Sequence, residues 1–276
     1  MRLLRSLPLL LLPALLDACA AMARAGGEAA GPPRTRLVVH VVAHDAKLIG
    51  SAVGGVRITV RDASSGEVLA QGIHEGSTGD TRRIVQEPRA RGATVYETDG
   101  AARWETSLVL VKPTRIEVVA EGPLGYPDQM ARATKTLLML PRQDVSGDGL
   151  VLELHGYVLD LVVPDSMAAV PSALAIPVRV QARLLCSCPT QPGGLWEPPT
   201  IIARAWKGEE VAGEATLFYS GQPSVYEGSL PALPPGEYAL EVTAANARAV
   251  TFGVVRRRLV VAPSTPPGAP GRESRP

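Results

Sequence analysis

An excess of charge of either sign is missing from this sequence. Its 28 lysines and arginines stand against 27 aspartates and glutamates, a net charge of +1 over 276 residues. A nucleic-acid partner needs a basic face that neutralises phosphates, and nothing in this balance supplies one. Aromatic residues make up only 4%, too few for stacking platforms that hold sugars or exposed bases. The only lysines are Lys47, Lys112, Lys135 and Lys207. With abundant Ala, Gly, Pro and Leu, that arginine bias reads as codon composition more than as selection for guanidinium chemistry. Catalytic signatures are missing too: there is no Gly-x-Ser-x-Gly elbow, phosphate-cradling loop or dinucleotide fingerprint. Serine, histidine and aspartate all occur, but a triad assembles in space and is not legible in their scattering. The reading is of a protein that is not an enzyme and carries no cofactor.

What is present suggests two domains of roughly 100–150 residues, each long enough to bury its own core. A hydrophobic fraction of 46% with 20% charged residues fits neither a disordered chain nor a multi-span membrane protein. The N-terminus carries Arg2 and Arg5, an apolar run over residues 9–16, and then small residues. That order defines a secretory signal, and the run is too short to span a bilayer. Ala23-Arg24-Ala25 fits the small-x-small cleavage pattern. Leu16-Asp17-Ala18-Cys19 resembles a bacterial lipoprotein box, which implies lipidation of Cys19; Asp17 departs from that pattern.

Beyond the signal no long stretch repeats its apolar residues at helical spacing. Short runs of alternating or β-branched residues follow one another, separated by Gly, Pro and Asp or Asn. That predicts an all-β chain of two tandem Ig-like antiparallel β-sandwiches. The expected divisions are a signal segment 1–25, a flexible tether 26–35, a first sandwich 36–163, a linker 164–174, a second sandwich 175–262 and a disordered tail 263–276. Strands are expected at 36–43, 55–62, 67–73, 103–111, 114–121, 133–140 and 150–163 in the first sandwich. In the second they are expected at 175–185, 200–207, 214–219, 225–230, 238–244 and 250–261.

The hairpin Gly54-Gly-Val-Arg-Ile-Thr-Val-Arg-Asp-Ala-Ser-Ser-Gly-Glu-Val-Leu-Ala-Gln-Gly72 resembles those of transthyretin-like, carboxypeptidase-regulatory-like modules. The stretch Pro234-Pro-Gly-Glu-Tyr-Ala-Leu-Glu-Val-Thr243 resembles the penultimate strand of bacterial Ig-like domains. These resemblances imply small sandwiches common in exported proteins, usually without catalysis of their own. They support the fold and leave the function open.

The strongest local signal is Cys186-Ser187-Cys188-Pro189. On an extended chain the two sulfurs would share a face, with Cα atoms about 6.6 Å apart, at the edge of what a disulfide accepts. The pair reads as a disulfide made in an oxidising compartment, as two thiolates for copper or zinc, or as buried inert thiols. Met167 and His155 are possible further metal ligands, near the pair in sequence only. Leu195 and Trp196 lie in the following Pro- and Gly-rich loop. Trp196 reads as an anchor for a protein partner or as a plug at the end of the sandwich.

His40 and His44 have the spacing of a helical metal pair, but four residues of strand separate them by about 13 Å, too far for a shared ion. His74-Glu75 begins like a zinc-protease motif, but Thr78 stands where the second histidine belongs. Both motifs read as surface or satisfied histidines. Asp144-Val-Ser-Gly-Asp-Gly149 opens like a calcium loop, but His155 replaces the needed glutamate, so it reads as a turn.

The leading expectation is an exported protein, periplasmic or lipid-anchored to a bacterial envelope, that binds a protein partner of that envelope. Its alternatives are a metal-handling protein using Cys186 and Cys188, and an enzyme whose site assembles between the domains.

Overall fold

A computed structural model describes residues 32–165 and 169–264. The signal segment with Cys19, most of the tether, Met167 and the tail from 265 lie outside the described residues.

The first sandwich is built from β1 (Arg34–Ala43), β2 (Val56–Asp62), β3 (Val68–His74), β4 (Trp104–Val109), β5 (Thr114–Gly122), β6 (Ala131–Met139) and β7 (Val145–Leu154). One sheet has the order β4-β1-β7 and the facing sheet β3-β2-β5-β6. The alternation in β2 does what its pattern dictates. Val56, Ile58 and Val60 are fully buried while Arg57 and Arg61 face solvent. Each such aliphatic side chain contributes about 1.5–3 kcal/mol by leaving water.

The second sandwich contains β8 (Tyr157–Val163), β9 (Val170–Pro171), β10 (Ile176–Leu184), β11 (Thr200–Lys207), β12 (Glu210–Tyr219), β13 (Val225–Leu230), β14 (Gly236–Asn246) and β15 (Thr251–Ala262). They follow one continuous order, β8-β10-β13-β12-β11-β14-β15-β9. Strand β12 is shared: residues 210–217 pair with β11, and Phe218 and Tyr219 pair with β13. The sheet thereby doubles over on itself and encloses Val180, Tyr226, Ala203, Leu240 and Val255.

Two features depart from the sequence reading. The pairing is not wholly antiparallel, since β1 runs parallel to β7 and β15 to β9. The segment expected as one strand over 150–163 is two strands. The chain swivels at His155-Gly156, where Gly156 takes a φ of 154°; β7 then stays beside β1, whereas β8 pairs antiparallel with β10. Residues 157–163, assigned by sequence to the first sandwich, therefore hydrogen-bond in the second. An apolar run reads the same whichever sheet receives it, so its partner decides. Strand β15 also packs closely on β8: a Cβ on Gly253 would lie 2.9 Å from both Cβ and O of Tyr157.

One apolar core runs through both sandwiches, from Leu37 and Ile58 in the first to Tyr226 and Val261 in the second. A smaller cluster around Leu48, Ile84 and Tyr96 lies under the long connection between β3 and β4.

Candidate functional site at the junction of the sandwiches

The chemistry-bearing side chains collect where the two sandwiches meet. The turn after β10 holds Cys186 and Cys188, joined in a disulfide and exposed by only 1% and 3%. Their Cα atoms lie 5.2 Å apart, closer than an extended chain allows, because the chain turns back there. Ser187 adopts a φ of 63°, and its N–H donates to the Leu184 carbonyl at 2.7 Å. With both sulfurs bonded to each other, neither offers a thiolate.

Arg183 ties that turn to the first sandwich. Its guanidinium donates to Ser187 Oγ at 2.9 Å, to Tyr126 Oη at 2.7 Å and to Asp160 Oδ2 at 2.5 Å. Tyr126 in turn donates its hydroxyl proton to Asp160 Oδ2 at 3.2 Å. Burial is the main cause pushing the Tyr126 phenol up, which keeps it a donor. Beside this network Gln129 treats β8 as a strand would. Its amide accepts from the Leu159 N–H at 2.8 Å and donates to the Leu159 carbonyl at 3.0 Å. At Leu159 the free edge of β8 is thus met by a side chain of the other sandwich.

Across the junction the turn after β1 meets the loops of the second sandwich. Trp196 is partly buried against the shared core, and its indole N–H donates to the Asp45 carbonyl at 2.9 Å. Leu195 beside it is 51% exposed. Next to Asp45, His44 stacks on His155 with ring centroids 4.0 Å apart and planes 20° from parallel. Glu153 Oε1 lies 2.9 Å from His44 Nδ1. His155 Nδ1 donates to the Val250 carbonyl at 3.0 Å, and that valine holds a left-handed φ of 48°. One ligand atom from each of His44, Glu153 and His155 falls within 4.8 Å of the others.

Strand pairing sets this arrangement. Val42 lies opposite Glu153 and Ala43 opposite Leu154 in the parallel ladder, and the His44 N–H donates to the Leu154 carbonyl at 2.9 Å. Grooves flank the cluster on either side. One is lined by Ile84, Glu87, Arg89 and Tyr96, the other by Glu197, Asn246 and Arg248.

The other two histidines are interior. His40 and His74 are both fully buried, with rings edge-on at 6.3 Å. His74, read from the sequence as a surface or satisfied histidine, is the satisfied kind and ends strand β3. Its Nε2 accepts from the Val41 N–H at 3.0 Å and its Nδ1 donates to the Ile49 carbonyl at 3.1 Å. Burial, reinforced by nearby His40, pushes the His74 imidazole down to about 4. His40 is also lowered by burial; its Nδ1 meets the Asp148 carbonyl at 2.8 Å. The Asp148 carboxylate accepts the Val95 and Tyr96 N–H groups and pins the long connection onto the sheet.

The sequence-derived candidates are thus distributed unequally. Cys186, Cys188, Leu195, Trp196 and His155 lie in or beside the junction. His155 meets His44 and Glu153 rather than the cysteines in the cluster that could hold an ion. Sequence reasoning missed Glu153, Gln129, Arg183 and the pairing of His44 with His155. No sequence periodicity links residues 111 positions apart.

Neither a family model nor a curated protein matches this chain. Among solved structures it is similar to fibronectin(III)-like modules of CbhA from Clostridium thermocellum, at 10% identity over 83% of this chain and 94% of that one, with a TM-score of 0.29. A DUF3823 family protein from Parabacteroides merdae gives 9% identity, 84% and 100% coverage, and a TM-score of 0.28. The tip fimbrial protein Mfa3 from Porphyromonas gingivalis gives 10%, 85%, 84% and 0.28. The chain spans 22% of an engineered protein that it matches at 20% identity over 42% of its own length, with a TM-score of 0.28. At such scores the fold stands on its own strand pairing.

Proposed function

We propose that this chain is an exported, non-catalytic component of a bacterial cell envelope, a stiff two-sandwich body that presents its junction loops to a protein partner. The observation that carries the reading is the junction itself. A core continuous through both sandwiches, with Trp196, Gln129 and Arg183 bridging them, fixes two modules in one orientation. Separate modules on a slack linker would need none of those contacts. A buried disulfide supports an oxidising compartment, in agreement with the signal-like segment ahead of it. Leu195, exposed beside a fixed tryptophan, is the point where a partner would first meet the junction.

The test is fractionation of cells expressing the full chain, with intact mass and thiol alkylation of the recovered protein. A photoreactive residue at position 195 and a control at Ser65, on the far turn, complete it. The expected result is an envelope protein shortened at its N-terminus, no alkylation at Cys186 or Cys188, and a discrete cross-linked envelope protein from position 195 alone. A full-length cytosolic protein with free thiols, or equal cross-linking from both positions, overturns the reading.

A further inference from the structure

We propose that His44, Glu153 and His155 form a binding site for one divalent transition-metal ion, of which zinc is the natural probe. The donor set is right for it: two imidazoles and a carboxylate bind zinc and its neighbours and leave a position open for a further ligand. The distances are close. Their ligand atoms lie within 4.8 Å of one another, and a tetrahedral ion with bonds of about 2.0–2.1 Å wants them about 3.3 Å apart. The two rings stack 20° from parallel, so one must leave the stack for both to aim a nitrogen at one ion. His155 is held by Val250, and His44 at the partly exposed rim is the ring that turns.

Three further observations make this a built site rather than a chance meeting of polar groups. His155 donates through Nδ1 to the Val250 carbonyl, which leaves Nε2 with its lone pair and fixes the ring, as the outer partners of metal-binding histidines do. His44 already turns Nδ1 toward Glu153 Oε1 at 2.9 Å, close to the spacing of two ligands on one ion, so an ion would take the place of the proton between them. The backbones behind all three ligands are held by the β1–β7 ladder and by the His44 N–H bond to Leu154. Preorganised strand ends place ligands better than mobile loops.

The position gives the ion a consequence. His155-Gly156 is the chain crossover from β7 to β8, and Val250 belongs to the second sandwich. An ion here ties β1 and β7 directly and the β14–β15 hairpin through His155. It staples the junction on which the proposed function depends, with Asp45 and Glu197 lining the adjoining groove.

The test uses full-length protein without a histidine tag, stripped by chelator, titrated with zinc at pH 7.5 against a chromophoric competitor. The expected result is one zinc per chain at micromolar affinity or tighter. His44→Ala and His155→Ala should each weaken it by more than about tenfold, the loss that follows even when only an orienting group is removed. Glu153→Gln should weaken it less. Alkylation of the zinc-loaded protein without reduction should leave Cys186 and Cys188 unmodified. Failure to bind one equivalent, affinity kept within threefold in either histidine variant, or zinc-loaded protein with free cysteines overturns the assignment. The titration uses purified protein, so its failure is separable from failure of the envelope reading.

Discussion

His40 lies within β1 and His44 just beyond its end, yet their surroundings assign them opposite work. His40 is sealed beside His74 under the long β3–β4 connection, in a setting that resists protonation of both rings. His44 emerges at the rim, stacked on His155 and facing a carboxylate. The interior pair spends its nitrogens on backbone groups, apart from His40 Nε2, which is buried without a partner. The rim pair keeps a nitrogen on each ring for a ligand. Residue type did not decide this; burial and hydrogen-bond partners did.

The comparison is broken most forcefully from inside. His74→Ala leaves the Val41 N–H and the Ile49 carbonyl buried without partners and opens a cavity. A loss of about 4 kcal/mol is expected from urea unfolding at pH 7.

Acid comes next. The folded His74 imidazole sits at about 4 against an ordinary 6.5, so between those values the unfolded chain takes up a proton that the folded chain refuses. Stability is therefore full above about pH 6.5, falls as pH drops toward 4, and levels off below. The ceiling on that fall is about 3 kcal/mol. Unfolding midpoints at pH 7 and pH 5 measure the slope, and His74→Gln, which keeps a donor and an acceptor without titrating, should lose the larger part of it.

A smaller effect belongs to the rim. Val250 holds a left-handed φ, a conformation that costs a β-branched residue on the order of 1 kcal/mol or more. Val250→Gly should raise the thermal midpoint slightly while leaving the carbonyl that His155 needs. A lowered midpoint would show that the valine side chain contributes packing that outweighs the strain.

The smallest effect sharpens the contrast best. His44→Ala in metal-free protein should change unfolding free energy by no more than about 0.5 kcal/mol, as surface substitutions do. A loss comparable to that of His74→Ala would make the rim pair structural.

Much of the fold was legible because strands announce themselves locally. The alternation of Val56, Ile58 and Val60 with arginines placed β2 to within a residue. The apolar Tyr238, Leu240 and Val242 placed the centre of β14, which runs two residues further at each end and buries Glu241 as well. The long run ending at residue 163 was not resolvable, because it is apolar on both sides of Gly156 and its two halves answer to different sheets. The cysteines were visible as a pair, but their close approach depends on the positive φ of Ser187, which no spacing rule anticipates.

Local pattern was enough for the β class, for the positions of most strands and for marking Cys186 and Cys188 as a pair with three readings open, since each depends on neighbours within a few positions. The crossing of β8 into the second sandwich, the Gln129 bonds to Leu159 at its edge, and the convergence of His44, Glu153 and His155 came from the folded chain. Those outcomes rest on hydrogen bonds and packing between residues up to 111 positions apart. A linear pattern holds no record of which strand a given strand will choose.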